Sequence, residues 1–415
     1  MVLKRLLSYG KKDAFIRDNV TLFFATSCLS FASFLYHLLM GRFLGPVQYG
    51  DLGVLFSIFY IFVVVILAIQ TTISNFVAKF EANDERDKIN VLLRRALGEI
   101  VLVSLILVLL LLLISPWLAS FLHVQMFHIW ILAPLILFSL LVAVQRGVLQ
   151  GLLRFKALGA SLIVEGIAKV SFAVLVLLIG YGVAGAMFVL VVSYLIPFIV
   201  AFYILNQFLK KKKNKVNIKE VYAYAIPVII SIFLFTALYT ADILLVKHYF
   251  DSETAGLYAA LSFFGKIIFF ATQSIAHVMF PKSAVNYSVK KTSKKLVNKT
   301  LLLVGAIGGI GVFVYFLIPK ILITVMYGPE YIKLAEYLGP FGLIMLILSL
   351  CYVLILYNLS QKRYSQNYFL LGFFIIEIGA IFMFHESLTQ IVFMLLAIVT
   401  GLYLMLLRYT YRNGC

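Results

Sequence analysis

The chain has 415 residues, of which 63% are hydrophobic and 13% are charged, and its formal net charge is +18. This composition excludes a water-soluble globular fold, because soluble domains contain roughly 45–50% apolar and about 25% charged residues. The three cysteines show neither a disulfide framework nor a metal-ligand spacing. Repeated apolar runs of about 20 residues account for the surplus, because each can cross about 30 Å of hydrocarbon.

Twelve apolar runs predict an all-α polytopic membrane protein with both termini on the same side of the bilayer. In chain order the predicted spans cover residues 20–40, 52–77, 96–118, 127–145, 158–180, 183–209, 221–246, 254–279, 301–318, 335–359, 368–384 and 388–407.

Basic residues are distributed unequally between the two sides of these spans. Of the 35 Lys and Arg residues, all lie on the side of the termini except Arg42, Lys169, Lys247, Lys266, Lys320 and Lys333. Lys169 and Lys266 fall inside spans. Because cytoplasmic loops carry an excess of Lys and Arg, we predict a multi-pass protein of the cell membrane with both termini in the cytoplasm. The net charge therefore reflects topology and indicates no nucleic-acid partner.

Two segments of the chain indicate an internal duplication. HLLMGRFLGPVQYGDLGVL, which begins at His37, aligns without a gap with ILLVKHYFDSETAGLYAAL, which begins at Ile243, at a spacing of 206 residues. The alignment pairs Gly50 with Gly256, and the same spacing pairs Pro134 with Pro340. We therefore predict two six-helix bundles, at residues 1–209 and 220–415, joined by a basic cytoplasmic linker at 210–219. Copies with an even number of spans share one orientation, so a pseudo-twofold axis should run along the membrane normal.

A family resemblance is carried by the sequence GRFLGPVQYG at Gly41 to Gly50. It is similar to the R-x-L-G-P-x-x-Y/F-G signature in the first external loop of the polysaccharide-export flippases of the MOP superfamily. A second family-like stretch, LQGLLRFK, begins at Leu149. The resemblance extends over the whole chain, because this superfamily, which includes multidrug exporters and the lipid II flippase, also has two six-helix bundles with cytoplasmic termini.

The resemblance implies two bundles around a central cavity that opens alternately to the two sides of the membrane. It also implies a polyprenyl-diphosphate-linked oligosaccharide as substrate, with its head group in the cavity and its tail in the bilayer. A monomer is expected, without a cofactor; a coupling ion or the membrane potential could drive transport. No transport motif of the family is strict enough for a complete set of substrate-binding residues to be assigned to this sequence.

An anionic head group requires a hydrated, cationic interior, because isolated charges resist transfer into a low dielectric. The strongest candidate is Lys266, which forms one polar stripe with Ser262, Gln273 and His277 at helical spacings. Gln70 lies in the matching part of the second span. This stripe predicts a cavity lining, although polar side chains can also pack helices against each other.

The other intramembrane charges allow two interpretations each. Lys169 could contact substrate or pair with Glu165, four residues before it. Asp242 and Glu377 could pair with a basic residue, such as Lys266 in the case of Asp242, or carry a coupling ion. Further candidates for a cationic, substrate-binding interior lie near span ends: Arg42, Lys79, Arg146 and Lys247. Of these, Arg42, Lys79 and Lys247 could instead anchor the protein at head groups, or together form charged rims at the cavity mouths.

Two other functions fit parts of the sequence. A multidrug or organic-cation exporter would need acidic cavity residues, whereas the first span carries only uncharged polar residues and His37. An enzyme acting on the same lipid would need a large extramembrane loop or an acidic metal-binding pair. The external loops are short, and the acidic residues at Asp84 to Asp87 lie beside Lys88 in a loop predicted to be solvated.

Overall fold

The computed structural model describes residues 2–206, 218–288 and 294–412. Within these ranges the secondary structure is helical, and a short 3-10 turn at Pro329–Leu334 precedes α11. The helices are α1 Val2–Ala82, α2 Arg86–Leu122, α3 Met126–Gly151, α4 Phe155–Ile179, α5 Gly182–Leu205, α6 Ile218–Leu238, α7 Ala241–Tyr249, α8 Ser252–Ser288, α9 Lys294–Leu317, α10 Pro319–Met326, α11 Ala335–Ser360, α12 Gln366–Met383 and α13 Leu388–Arg412.

The chain is an all-α, multi-pass membrane protein. Eleven segments of the described chain are helical, long and apolar enough to cross a membrane. The first of them, Phe24–Glu81, has 58 residues, which at 1.5 Å per residue suffices for two crossings. The predicted all-α polytopic fold is therefore confirmed, with the first two predicted spans in one long helical segment.

Two breaks interrupt the helices. At Gly45 the backbone has φ 71° and ψ 171°, a conformation that favours glycine, and Pro46 follows, which removes a backbone donor. The predicted span at 221–246 is divided by a turn between α6 and α7. There the Thr240 hydroxyl donates to the Thr236 carbonyl oxygen at 2.8 Å, a side-chain bond that competes with the regular helical ladder.

The helices form two compact units. Unit 1 consists of the described residues of Met1–Phe43, Val65–Ser120 and Val124–Ala225, and unit 2 consists of those of Leu44–Val64, Phe121–His123 and Ile226–Cys415. Unit 2 therefore includes a helical segment from the first half of the sequence. The units and the predicted duplicated halves are different divisions of the chain. Residues 210–217 of the predicted linker at 210–219 lie outside the described residues, and the duplication boundary remains a prediction.

From Leu44 onward, the family-like segment at Gly41 to Gly50 lies in unit 2, where its residues make close packing contacts. A Cβ atom on Gly50 would lie 2.8 Å from the Cα atom of Gly256, and one on Gly256 would lie 1.8 Å from the Pro46 carbonyl oxygen. Tyr49 is buried, and its hydroxyl lies 3.1 Å from the Tyr327 hydroxyl. The two glycines paired by the duplication thus contact each other directly, where α1 and α8 approach too closely for side chains.

We expect Gly256→Ala to lower the free energy of unfolding by about 1–3 kcal/mol, since the added methyl group must displace backbone atoms. The measurement is the thermal unfolding midpoint of the purified protein in detergent. Gly305→Ala is the matched control, because a Cβ atom on Gly305 meets nothing within 4 Å. Equal midpoints for the two variants would contradict the close approach.

Candidate functional site

The candidate site in unit 2 is built around Lys266 on α8. The Lys266 side chain is buried, with the residue only 2% exposed, so it points into the protein. Its Nζ atom lies 5.3 Å from the ring centroid of Tyr60 and 5.6 Å from that of Tyr239. Tyr60 comes from the part of α1 that belongs to unit 2, and Tyr239 lies in the break between α6 and α7. Both distances are within the range of cation–π interaction.

The start of α8 is fixed by a side-chain cap outside the membrane-spanning segments. Asp251 precedes the helix, and its Oδ2 atom accepts a hydrogen bond from the Thr254 backbone N–H at 3.0 Å. This is the usual N-cap arrangement. Hydrogen bonding to Thr254 lowers the pKa of the Asp251 carboxyl, which keeps the cap charged near neutral pH.

One buried carboxyl group, that of Asp242, lies near Lys266, and a second, that of Glu377, lies near Asp242. Asp242, in the first turn of α7, is 2% exposed, and its Oδ2 atom accepts a hydrogen bond of 2.8 Å from the Tyr258 hydroxyl. Asp242 interacts electrostatically with Lys266 and with Glu377. Glu377 on α12 is fully buried, and neither of its carboxylate oxygens has a hydrogen-bond partner among the described residues.

Lys266 is not directly paired with either carboxylate. Ion pairs within 4 Å are absent for Lys266 in the part of the chain that the structure describes. Asp242, the predicted partner, interacts with Lys266 electrostatically but does not contact it. The ammonium group of Lys266 contacts aromatic rings.

The rest of the predicted polar stripe becomes more exposed along α8. Ser262 is buried, Gln273 is half-buried and interacts with the Tyr352 side chain, and His277 is exposed with its ring 5.8 Å from that of Tyr352. The structure thus places the stripe beside aromatic residues of unit 2. Whether the stripe lines a transport cavity stays a prediction.

An aromatic cluster adjoins Lys266 and was not predicted. It includes neighbouring rings with centroid separations of 5.2 to 5.8 Å, contributed by Phe235, Tyr239, Phe269 and Tyr352. Aromatic residues in apolar spans resemble any other core residue in the sequence. From sequence, the only signal that could have identified them is their helical position relative to Lys266.

Unit 1 contains a second buried charge cluster. Glu165 on α4 receives hydrogen bonds from Arg146 at 2.8 Å and from Lys169 at 3.5 Å. Arg146 also donates to the Ser161 hydroxyl at 3.1 Å, and Lys169 to the Ser33 hydroxyl at 3.0 Å. The structure therefore contains the predicted Glu165–Lys169 pair and adds Arg146 to it, so that two cations share one carboxylate.

Gln70 is engaged in helix packing within unit 1. Its Nε2 atom donates to Gln150 Oε1 at 3.0 Å. Beside it, a Cβ atom on Gly147 would lie 2.8 Å from the Gln70 carbonyl oxygen, and one on Gly151 would lie 2.6 Å from that of Ser74. The family-like LQG sequence at Leu149 thus supplies a hydrogen bond and a close helix contact. These contacts favour the packing interpretation for Gln70.

The basic residues predicted near span ends differ in environment. Arg42 and Lys79 are exposed, as anchoring or rim residues would be. Lys247, by contrast, is 2% exposed and forms an ion pair of 2.6 Å with Asp51. The anchoring role considered for Lys247 is therefore wrong, because the residue is buried and Asp51 on α1 supplies a half-buried partner that linear spacing does not reveal. Among the described residues, none of the acidic, histidine and cysteine side chains form a group of three that could hold a metal ion.

Comparison with known proteins identifies the family of the chain. The model of the family described as "Polysaccharide biosynthesis protein" matches residues 16–286. The chain belongs to the polysaccharide biosynthesis protein family. It is also similar to an uncharacterized membrane protein of Methanocaldococcus jannaschii, with 24% identity over 258 residues that cover 59% of this chain and 60% of that protein. The match thus spans less than two thirds of that relative.

Solved structures show the fold. An inward-facing multidrug resistance MATE transporter of the MOP superfamily has a TM-score of 0.76 at 11% identity, covering 92% of this chain and 95% of that one. A eukaryotic MATE transporter has a TM-score of 0.71 at 14% identity, covering 97% of each chain. A MOP superfamily transporter from Pyrococcus furiosus has a TM-score of 0.69 at 10% identity, covering 97% and 95%. These structures show that the chain has the fold of MATE and other MOP-superfamily transporters.

Proposed function

We propose that this member of the polysaccharide biosynthesis protein family flips a polyprenyl-diphosphate-linked oligosaccharide across the cell membrane. The proposal rests on one observation: Lys266 is a buried intramembrane cation whose ammonium group contacts two tyrosine rings and has no carboxylate within 4 Å among the described residues. Such a cation retains most of its capacity to bind an anion.

The other buried Lys and Arg residues of the described chain are already compensated. Arg146 and Lys169 share Glu165 in unit 1, and Lys247 is paired with Asp51 in unit 2. A buried charge that loses its partner is strongly destabilising, so these three residues are poorly suited to exchange their carboxylates for a substrate. Lys266 can gain a phosphate partner without breaking an ion pair.

The substrate class follows from this chemistry. A diphosphate moved through a medium of low dielectric needs a compensating charge, and attraction between opposite charges is stronger there than in water. Gln273 and His277 on the same helix, together with the Tyr352 ring on α11, could contact the sugar rings and their hydroxyl groups. Lys266 would bind the phosphate, with the lipid tail remaining in the bilayer.

The direction and route of transport belong to the same proposal. The excess of basic residues on the side of the termini supports cytoplasmic termini. Membership of a polysaccharide biosynthesis family favours movement of the lipid from the cytoplasmic to the outer leaflet. Because Lys266 is enclosed in this structure, binding requires a conformation in which the site is open, as alternating access provides. We assign this work to a monomer.

Asp242 and Glu377 are proposed to couple transport to a cation. Both are buried, they interact electrostatically, and Glu377 lacks a hydrogen-bond partner among the described residues. Buried carboxyl groups of this kind are functional candidates in membrane transporters. A proton or a metal cation could neutralise them, and either would alter the field at Lys266.

A multidrug or organic-cation exporter is the second candidate function. It is favoured by the same two buried carboxyl groups and by the multidrug resistance MATE transporter with the same fold. The Pyrococcus furiosus relative is described as having a binding pocket of reverse polarity that suggests a different function. A pocket of reversed polarity within this fold would suit a substrate of the opposite charge, and Lys266, which has no carboxylate within 4 Å among the described residues, favours the anionic substrate.

The two functions are separated by reconstitution. The purified protein is incorporated into liposomes with a fluorescent polyprenyl-diphosphate oligosaccharide, and flipping is followed by loss of protection from an external glycan-modifying reagent. We expect flipping above that of protein-free liposomes and no uptake of organic cations. Cation transport without flipping of any of several sugar lipids would contradict the proposed function.

A further inference from the structure

Two tyrosine rings from different helical segments converge on one ammonium group in unit 2. Tyr60 and Tyr239 lie 5.3 Å and 5.6 Å from Lys266 Nζ, measured to their ring centroids. A buried lysine usually has a carboxylate partner. The presence of two aromatic faces in its place requires an explanation, because a carboxylate is available nearby.

That carboxylate is held by a different residue. The Tyr258 hydroxyl donates to Asp242 Oδ2 at 2.8 Å, and Tyr258 is itself fully buried. Asp242 also lies at the N-terminus of α7, where the helix dipole favours a negative charge. Oδ2 of Asp242 is therefore occupied by Tyr258, while Oδ1 has no hydrogen-bond partner among the described residues, so neither oxygen pairs directly with Lys266.

We propose that Tyr60 and Tyr239 are positioning residues that hold the Lys266 ammonium group charged and oriented for a phosphate oxygen of the substrate. This inference rests on the proposed function. An ammonium group has three N–H donors. Two of them can face the two rings, which leaves the third for an anion. The rings attract the cation through their quadrupoles and carry no negative charge that a phosphate would have to displace.

The location of Tyr239 strengthens this assignment. It lies in the break between α6 and α7, immediately before the helical turn that carries Asp242. Breaks in membrane helices commonly occur at substrate and ion sites of transporters. The break thus brings a ring and a carboxylate to the same lysine, and a movement of α7 would change both interactions together.

The test varies the electron density of the two rings by fluorination. If the rings served only as packing groups, this change would not affect substrate affinity. Tyr60 and Tyr239 are replaced in turn by Phe and by mono-, di- and trifluorinated Phe through nonsense suppression, and flipping of the polyprenyl-diphosphate oligosaccharide is measured over a range of substrate densities. Tyr60→Phe and Tyr239→Phe should retain flipping, since the ring face remains. Stepwise fluorination should weaken apparent substrate affinity progressively, by about tenfold at the trifluorinated ring.

Phe235 provides the matched control. It packs in the same aromatic cluster, 5.2 Å from the Tyr352 ring centroid, and none of the described contacts places it over Lys266. The same fluorinated series at position 235 should leave apparent affinity within about twofold of the wild type.

The outcomes separate this inference from the proposed function. Wild-type protein that flips no sugar lipid would overturn the proposed function. Flipping that is lost in Lys266→Gln but independent of fluorination at positions 60 and 239 would overturn the positioning role alone. An equal trend at position 235 would also overturn it, because the effect would then reflect packing of fluorinated rings.

Discussion

Lys266→Gln should reduce the rate of sugar-lipid flipping by about 10-fold to 100-fold. The expected magnitude follows from the loss of a charge-assisted hydrogen bond, worth about 1.5–3 kcal/mol, when every 1.4 kcal/mol corresponds to a factor of ten. Glutamine keeps hydrogen-bond donors at this position but removes the charge. The measurement is the initial flipping rate in liposomes at equal protein density.

Lys294→Gln is the matched control for this substitution. Lys294 also lies over a tyrosine ring, 5.7 Å from the Tyr411 centroid, but it is exposed at the start of α9. Its replacement should leave the flipping rate unchanged within about twofold, because an exposed cation–π contact contributes only about 0.5–1 kcal/mol to stability. Unaltered flipping by Lys266→Gln, together with a normal unfolding midpoint, would remove Lys266 from the mechanism.

The largest effect on stability should come from Glu165→Gln. Glu165 is 2% exposed and compensates both Arg146 and Lys169. Its neutralisation would leave two buried cations without a carboxylate, and loss of one partner from a buried pair costs about 3–5 kcal/mol. The measurement is the unfolding midpoint in detergent, supported by the yield of monodisperse protein.

Glu253→Gln is the control that shows how much of the effect depends on the burial of the ion pair. Glu253 forms an ion pair of 3.2 Å with Lys333, but the side chains are 55% and 72% exposed. Exposed pairs contribute about 0–1 kcal/mol, so this variant should unfold close to the wild-type midpoint. If Glu165→Gln were as stable as Glu253→Gln, the buried cluster would not be a charge network that holds unit 1 together.

Hydropathy predicted most of the fold because the physical constraint is strong. A helix that crosses hydrocarbon needs about 20 predominantly apolar residues, so the apolar runs located the spans. The duplication pattern also paired Gly50 with Gly256, and the two glycines meet in the structure. The break at Tyr239 and Thr240 was not predictable in the same way, because both residues are compatible with an uninterrupted membrane helix.

The candidate site was only partly predictable from sequence. Lys266 was identified because a charge within an apolar span is rare and expensive, and therefore conspicuous. Tyr60 and Tyr239 could not be selected among 24 tyrosines and 37 phenylalanines. Their roles depend on tertiary contacts between residues far apart in the chain. The same applies to Arg146, whose carboxylate partner is 19 residues away on the next helix.

The glycine signature illustrates a different limit. Its resemblance to a transporter family was useful for assigning the chain, yet its residues serve close packing in unit 2. Gly45 allows a positive φ, Gly50 allows contact with Gly256, and Tyr49 binds Tyr327. A signature can therefore identify a family through its fold, while the residue proposed to bind substrate, Lys266, lies on a different helix.

The most direct test of the central claim is a binding cycle between one protein charge and one substrate charge. Equilibrium affinity is measured for wild-type protein and Lys266→Gln, each with an oligosaccharide on a polyprenyl diphosphate and with the same oligosaccharide on an uncharged polyprenyl ether. If Lys266 binds the diphosphate, the wild type should prefer the charged lipid by at least about tenfold, and the variant should lose that preference. An equal preference in both proteins would show that Lys266 does not recognise the phosphate and would contradict the proposed mechanism.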